Sequence, residues 1–194
     1  MRLLLHACCG PCLIEPLDKL REAHAVTVAY ANPNIHPLDE YVRRRDTLLA
    51  YAAWQEVPVV ELAYDPAEWV RATGHAAQLK AERCRRCFGL RLGIVAAYAA
   101  GAGFEAFATT LTVSPYQDFD ALQEAAEVVA ARYGIPYLRT DFREFYPEAV
   151  RRSRELGMYR QNYCGCLLSQ VDAERERAQR KAAKKQAAVS RAGP

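Results

Sequence analysis

No apolar run in this chain is long enough to cross a bilayer, since a spanning helix needs about 20 apolar residues. The amino-terminal MRLLLHACCG offers one charge and three consecutive leucines before His6, too short an apolar core for a secretory signal. Internal repeats and low-complexity linkers are also missing from the 194 residues. These absences exclude membrane, secreted and repeat-array classes and leave one unit expected in a reducing cytoplasm. With 51% of residues hydrophobic, a chain of this length buries a core without covalent staples.

Cysteine is what the chain has in unusual arrangement. Seven fall into three tight groups: Cys8, Cys9 and Cys12 in HACCGPC, Cys84 and Cys87 in CRRC, and Cys164 and Cys166 in CGC. Persistent disulfides are rare in a reducing compartment, so thiols clustered this way read as metal ligands or redox groups.

Charge is unevenly spread although the net value is only +3. From Asp172 to Pro194, seven Lys or Arg stand against three acids, a local +4, and the remainder holds 19 basic against 20 acidic residues, or −1. A basic appendage on a near-neutral body suits polyphosphate, and a solvated, frayed helix is the plainer alternative. The expected organisation is a catalytic domain over residues 1–171 and a basic tail over 172–194.

Apolar patterning predicts strands at Leu3–His6, Ala25–Ala31, Pro58–Ala63, Phe104–Thr109 and Ile135–Arg139. It predicts helices at about Cys12–Glu22, Leu38–Glu56, Pro66–Ala72, Glu82–Ala100, Phe119–Tyr133 and Pro147–Leu156. Pro37, Pro66 and Pro147 suit first helical turns, Asp65 suits a cap, and Gly101, Gly134 and Gly157 follow helical stretches. Strands joined by helix-length connections imply an α/β fold with a doubly wound parallel sheet. Ligands of such sheets sit beyond the carboxyl ends of the strands. HACCGPC follows the first strand and TTLTVSPYQD the fourth, so both belong on that edge.

A helix N-terminus stabilises a thiolate through unpaired N–H groups and the helix dipole, so lowered thiol pKa values are expected for Cys8, Cys9 and Cys12. Gly10 and Pro11 bend the chain between them. In CRRC, a spacing of three puts both sulfurs on one helical face, which suits zinc, an iron–sulfur cluster or a dithiol. Gly165 lets CGC close a small strained disulfide suited to two-electron exchange, with two further ligands as the alternative. All-thiolate ligation fits zinc as well as iron–sulfur. The vicinal Cys8–Cys9 pair at an expected active edge favours a catalytic cluster.

Together and in this order, HACCGPC, RCRRCF, TTLTVSPYQD and YRQNYCGC resemble the cobalamin-independent epoxyqueuosine reductases, the QueH family, from about Leu3 to Leu168. The resemblance implies reduction of epoxyqueuosine to queuosine at the wobble position of tRNA. It implies a sheet of the adenine-nucleotide α-hydrolase-like (HUP) type, tRNA as partner and an electron donor that it does not identify. It assigns Cys8, Cys9, Cys84 and Cys87 to a [4Fe-4S] cluster and Cys164 with Cys166 to a redox-active disulfide. Cys12 lies outside those ligands and is the candidate for an additional mononuclear iron. Cysteines occupy the loop where ATP-dependent relatives hold Gly and Ser for pyrophosphate, so ATP use is not implied.

Epoxide-to-alkene reduction needs two protons, and Tyr116 and Asp118 are the nearest acids by motif, with His6 a third. Turn formation, helix capping and a satisfied core histidine are the structural alternatives for these three. Tyr159 to Tyr163 offer stacking and hydrogen bonds to a flipped base, or simple packing. Two other functional readings remain at this point, a zinc-stabilised RNA-binding module and a tRNA thiolase-like sulfur transferase working through CGC.

Overall fold

The structure is a computed structural model that describes residues 1–191. Strands β1 (Arg2–His6), β2 (Ala25–Tyr30), β3 (Val59–Glu61) and β4 (Ala106–Thr109) form one parallel sheet in the order β3-β2-β1-β4. Leu3, Leu4 and Leu5 are all fully buried because β1 is central and both faces are covered, which is what a continuous apolar run in a parallel sheet requires. Leu3 and Leu5 face helices α1 (Gly10–Arg21) and α2 (Leu38–Trp54), packing with Leu13, Ile14, Leu17 and Leu48. Leu4 faces the opposite layer, α4 (Lys80–Gly101) and α5 (Phe119–Tyr133), with Phe88, Leu92 and Leu122.

The chain winds from β1 through β2 to β3, then crosses back by α3 (Pro66–Thr73) and α4 to place β4 on the other side of β1. The winding therefore reverses between β1 and β4, and their carboxyl ends open a crevice where such sheets bind ligands. Helix α6 (Tyr146–Glu155) closes one side of it. Arg152 anchors α6 to α1 by donating to Glu15 at 2.7 Å and Asp18 at 2.6 Å.

Most expected elements form, with three informative differences. The fifth strand at Ile135–Arg139 reduces to one bridge between Phe107 and Tyr137, because Pro136 has no N–H to donate and contributes only its carbonyl to Phe107. Helix α4 begins at Lys80, two residues before the expected start, which moves Cys84 beyond the first turn. Asp65 caps α3, accepting from Ala67 and Glu68 N–H groups, whereas Pro37 sits at the N-cap of α2 rather than inside its first turn.

Helix α7 spans Leu167–Arg191, so the expected boundary at 171/172 falls within one continuous helix. Of the basic segment, Ala192 to Pro194 and the side chains of Lys185 and Arg191 lie outside the described residues. Among the described residues no helix is long and apolar enough to cross a membrane.

Candidate functional site

The loop after β1 turns directly into α1, with Cys9 at the N-cap and Pro11 in the first turn. Gly10 is required by space: a Cβ there would lie 2.9 Å from the Thr47 Cγ2 and 3.1 Å from the Thr47 carbonyl oxygen, so α1 meets α2 only without a side chain. This close approach folds the loop so that the sulfurs of Cys8, Cys9 and Cys12 all lie within 4.8 Å of one another. The Cys8 and Cys9 sulfurs are 3.7 Å apart. A tetrahedral centre with metal–sulfur bonds of about 2.3 Å has ligand edges of about 3.8 Å, so at this spacing the pair fits one metal ion, and ligation of separate irons of a cluster requires the two sulfurs to move apart.

The three thiols share charge unequally. Hydrogen bonds from the Cys12 and Cys9 thiols hold Cys8 well below the usual thiol range against the opposing effect of burial, with Arg91 assisting. Burial pushes Cys9 up, and the bond to Cys8 pushes Cys12 up. The lowered pKa expected for all three thus holds for Cys8 alone. Neighbouring thiols and burial set these directions. The Gln161 amide covers the group, donating to the Cys9 sulfur at 3.0 Å and standing 3.8 Å from that of Cys12.

CRRC lies on the first turns of α4, opposite this loop. Cys84 packs into the apolar cluster that holds Cys8, Cys9 and Cys12, whereas Cys87 packs with Cys166 against Trp69. Burial raises Cys84 to about 11 and Cys87 to about 12, so both are neutral thiols until something cationic displaces their protons. Among the described residues, neither belongs to a group of three or more possible ligands within the 4.8 Å spacing of the first triad.

One turn beyond Cys87 stands Arg91, 1% exposed. It donates to Asn32 Oδ1 at 2.6 Å and lies 3.5 Å from His6 Nε2. It has no carboxylate partner among the described residues, and its Nε–H is buried without an acceptor. Its charge instead bears on Cys8, Cys87 and Cys164, favouring the thiolate of each. A buried guanidinium lacking a carboxylate costs several kcal/mol, roughly, unless an anion offsets it. An all-thiol donor set above such a cation fits an anionic metal–thiolate centre.

CGC is clasped from two sides. Arg44, itself paired with Glu40 at 2.7 Å, donates to the carbonyls of Cys164 at 2.8 Å and Tyr163 at 3.1 Å. The His36 N–H donates to Gly165 O at 2.8 Å. Gly165 has φ +144°, and a Cβ there would meet Asn34 at 3.0 Å and Ile35 at 3.1 Å, so both conformation and contact demand glycine. Cys166 immediately precedes α7, and its sulfur accepts the Ser169 N–H at 3.3 Å. Cys164 is exposed, with the Gln117 amide 3.7 Å from its sulfur.

The packing thus joins Cys84 to the first triad and Cys87 to Cys166 of CGC. The epoxyqueuosine reductase QueH family model matches residues 3–172. The chain belongs to the QueH family. Among its relatives is an epoxyqueuosine reductase QueH of Dehalococcoides mccartyi, 36% identical over 173 residues that cover 88% of this chain and 93% of that one. Another, from Thermotoga maritima, is 34% identical over 183 residues, covering 91% and 94%. A solved chain described as a predicted subunit of tRNA methyltransferase from Methanocaldococcus jannaschii superposes with a TM-score of 0.53 at 12% identity, covering 80% of this chain and 75% of that one. That likeness shows the fold, a doubly wound parallel sheet with helices on both faces.

The acids considered for this QueH chain occupy distinct environments. His6 is fully buried, 2.8 Å from Thr109 Oγ1, and burial followed by Arg91 lowers it to about 3, so it stays uncharged. Asp118 caps α5, accepting the Ala121 N–H at 3.1 Å. Tyr116 is 79% exposed, with its ring edge-on to Tyr146 at 5.9 Å between centroids. Tyr159 and Tyr163 are engaged by the protein: Tyr159 donates to Glu40 and lies against Arg43, and Tyr163 donates to His36 O and lies against Arg44.

Two variants separate capping from proton transfer at Asp118. Asn caps as well as Asp, whereas Ala costs about 1 kcal/mol of stability. If Asp118 acts only as a cap, Asp118→Asn keeps wild-type melting and turnover and Asp118→Ala loses stability alone. A large fall in turnover for the Asn variant at unchanged melting temperature assigns Asp118 to proton transfer.

Sequence reasoning missed Arg91, Asn32 and Arg44. Arg91 was within reach, because Cys84, Cys87 and Arg91 recur at i, i+3 and i+7, one face of a helix. Arg44 sits inside the run RRRD, where nothing distinguishes a buried arginine from solvated ones.

Proposed function

We propose that this protein reduces epoxyqueuosine to queuosine at the wobble position of tRNA, in the cytoplasm. The observation that carries the reading is the close thiol triad of Cys8, Cys9 and Cys12 at the carboxyl end of β1 in a QueH-family chain, with Cys84 packed into the same cluster. Cys8, Cys9, Cys84 and Cys87 would hold a [4Fe-4S] cluster, and Cys12, beside Cys8 and Cys9, would hold an additional mononuclear iron. Such a centre supplies single-electron transfer and, at an iron with an open position, Lewis-acid polarisation of an oxygen. The buried, carboxylate-free Arg91 and the Gln161 amide would offset its negative charge.

The reaction balances with the chain's own dithiol. Breaking both C–O bonds of the epoxide and forming the alkene takes two electrons and two protons and releases water. Cys164 and Cys166, passing from two thiols to a disulfide, release two electrons and two protons. An external reductant must then reopen that bond. Cys166 is buried with the Ser169 N–H on its sulfur, and exposed Cys164 is suited to meet the reductant. The basic residues of α7, Arg175, Arg177, Arg180, Lys181 and Lys184, would meet tRNA phosphates.

The test is kinetic and compositional at once. Cys164→Ser and Cys166→Ser, purified without oxygen, are expected to keep wild-type iron and sulfide yet lose multiple turnover on epoxyqueuosine tRNA. Loss of iron in either variant moves that cysteine into the ligand set and removes the dithiol from the mechanism.

A further inference from the structure

Beside Cys12 a small cavity opens between the start of α1 and α6, lined by Pro11, Cys12, Val113, Tyr146, Val150 and Gln161, with Arg160 at its mouth. It encloses about 70 Å³, room for roughly five water-sized groups at ~10–15 Å³ each. That is too little for a nucleobase and enough for a small ring. Its lining is mostly apolar and includes Cys12.

Two polar groups here lack partners that the rest of the fold supplies elsewhere. The Gln161 amide spends its N–H on Cys9, leaving Oε1 enclosed without a donor. Buried acceptors of this kind are normally satisfied, so a hydroxyl entering the cavity would complete it. Arg160 is exposed and has no carboxylate partner among the described residues, unlike Arg151 and Arg152 on the adjoining helix, which are both paired. At the rim, the ring of Tyr116 stands open to solvent, braced edge-on by Tyr146.

We propose that this cavity is the subsite for the hydroxylated, epoxide-bearing ring of the modified nucleoside, with the base itself held outside on Tyr116. Epoxyqueuosine carries its epoxide on a small hydroxylated carbocycle joined to the base by a short arm. The carbocycle's carbon face meets Pro11, Val113 and Val150, a ring hydroxyl donates to Gln161 Oε1, and Arg160 meets the adjacent phosphodiester. A ring so placed lies against Cys12 and the thiol triad, where the reductive chemistry is proposed. The inference rests on the proposed function and adds the substrate contacts.

The test is equilibrium binding of metal-loaded protein, without oxygen, to anticodon stem-loop RNAs carrying guanine or epoxyqueuosine at the wobble position. Wild type is expected to prefer the modified RNA by about tenfold, a difference of about 1.4 kcal/mol. Val150→Phe, which fills the cavity from a half-buried helical position, is expected to erase that preference while leaving iron content and affinity for the guanine RNA unchanged. Retained preference in Val150→Phe, or equal affinity of wild type for both RNAs, overturns the subsite. If Val150→Phe loses iron or fails to fold, Val150→Leu, a smaller filling of the same space, carries the test: a preference reduced at least threefold supports the subsite, and an unchanged one overturns it. Conversion of epoxyqueuosine tRNA by wild type is measured alongside. Intact conversion with unchanged preference in the variants removes the subsite alone, whereas absent conversion removes the functional reading beneath it.

Discussion

Serine in place of Cys87 or Cys84 is expected to yield a folded protein that has lost most of its iron and sulfide, together with the broad visible absorption of the wild type. Both thiols are buried enough to have raised pKa values, and the desolvation that keeps them protonated is overcome when a metal takes the thiolate. A serine hydroxyl does not ionise comparably. Loss of an outer-shell partner costs metal sites ~10–100-fold, so loss of a ligand should lower turnover by more than about 100-fold. Elemental analysis and conversion assays on the two variants check this. Full retention of iron and sulfide in both would remove CRRC from the ligand set.

Arg91→Met is expected to destabilise the metal-loaded protein far more than the metal-free one. In the loaded protein the change removes the buried counter-charge of an anionic centre, a loss of about 3–5 kcal/mol by analogy with broken buried ion pairs. In the metal-free protein the guanidinium has only the Asn32 amide, His6 and the thiol group to offset its burial, so methionine costs little there. Arg91→Lys should fall between, because its charge remains and the planar donor set does not. Thermal unfolding of both forms, with iron analysis, makes the comparison. An equal loss in loaded and metal-free protein would make Arg91 only a member of the Asn32–His6 network.

The parts of this molecule that local pattern determines were readable in advance. Three leucines before HACCGPC specify a central strand buried on both faces, and Asp65 specifies a cap without reference to anything distant. Ile135–Arg139 shows the limit of periodicity. Its apolar residues suit a strand, but one proline decides how many ladder bonds form. The site was legible as residue types and illegible as spacing. Nothing in CRRC indicates that Cys84 packs toward the first triad while Cys87 packs toward CGC, because that division depends on how α4 crosses the sheet. Lowered thiol pKa values were expected from a local rule, the helix N-terminus. Burial and neighbouring sulfurs, which are tertiary facts, outweigh it at Cys9 and Cys12. The cavity over Cys12 joins residues from α1 and α6 that the Arg152 ion pairs and the packing of Ala149 into the core bring together.

Nucleoside mass spectrometry of tRNA tests the central claim most directly. Purified anaerobically and given a chemical reductant, the protein is expected to convert epoxyqueuosine in tRNA to a nucleoside lighter by one oxygen atom and identical to queuosine, without added ATP. Iron-loaded protein that leaves epoxyqueuosine intact under these conditions, or that requires ATP or yields a sulfur-containing nucleoside, would contradict the account.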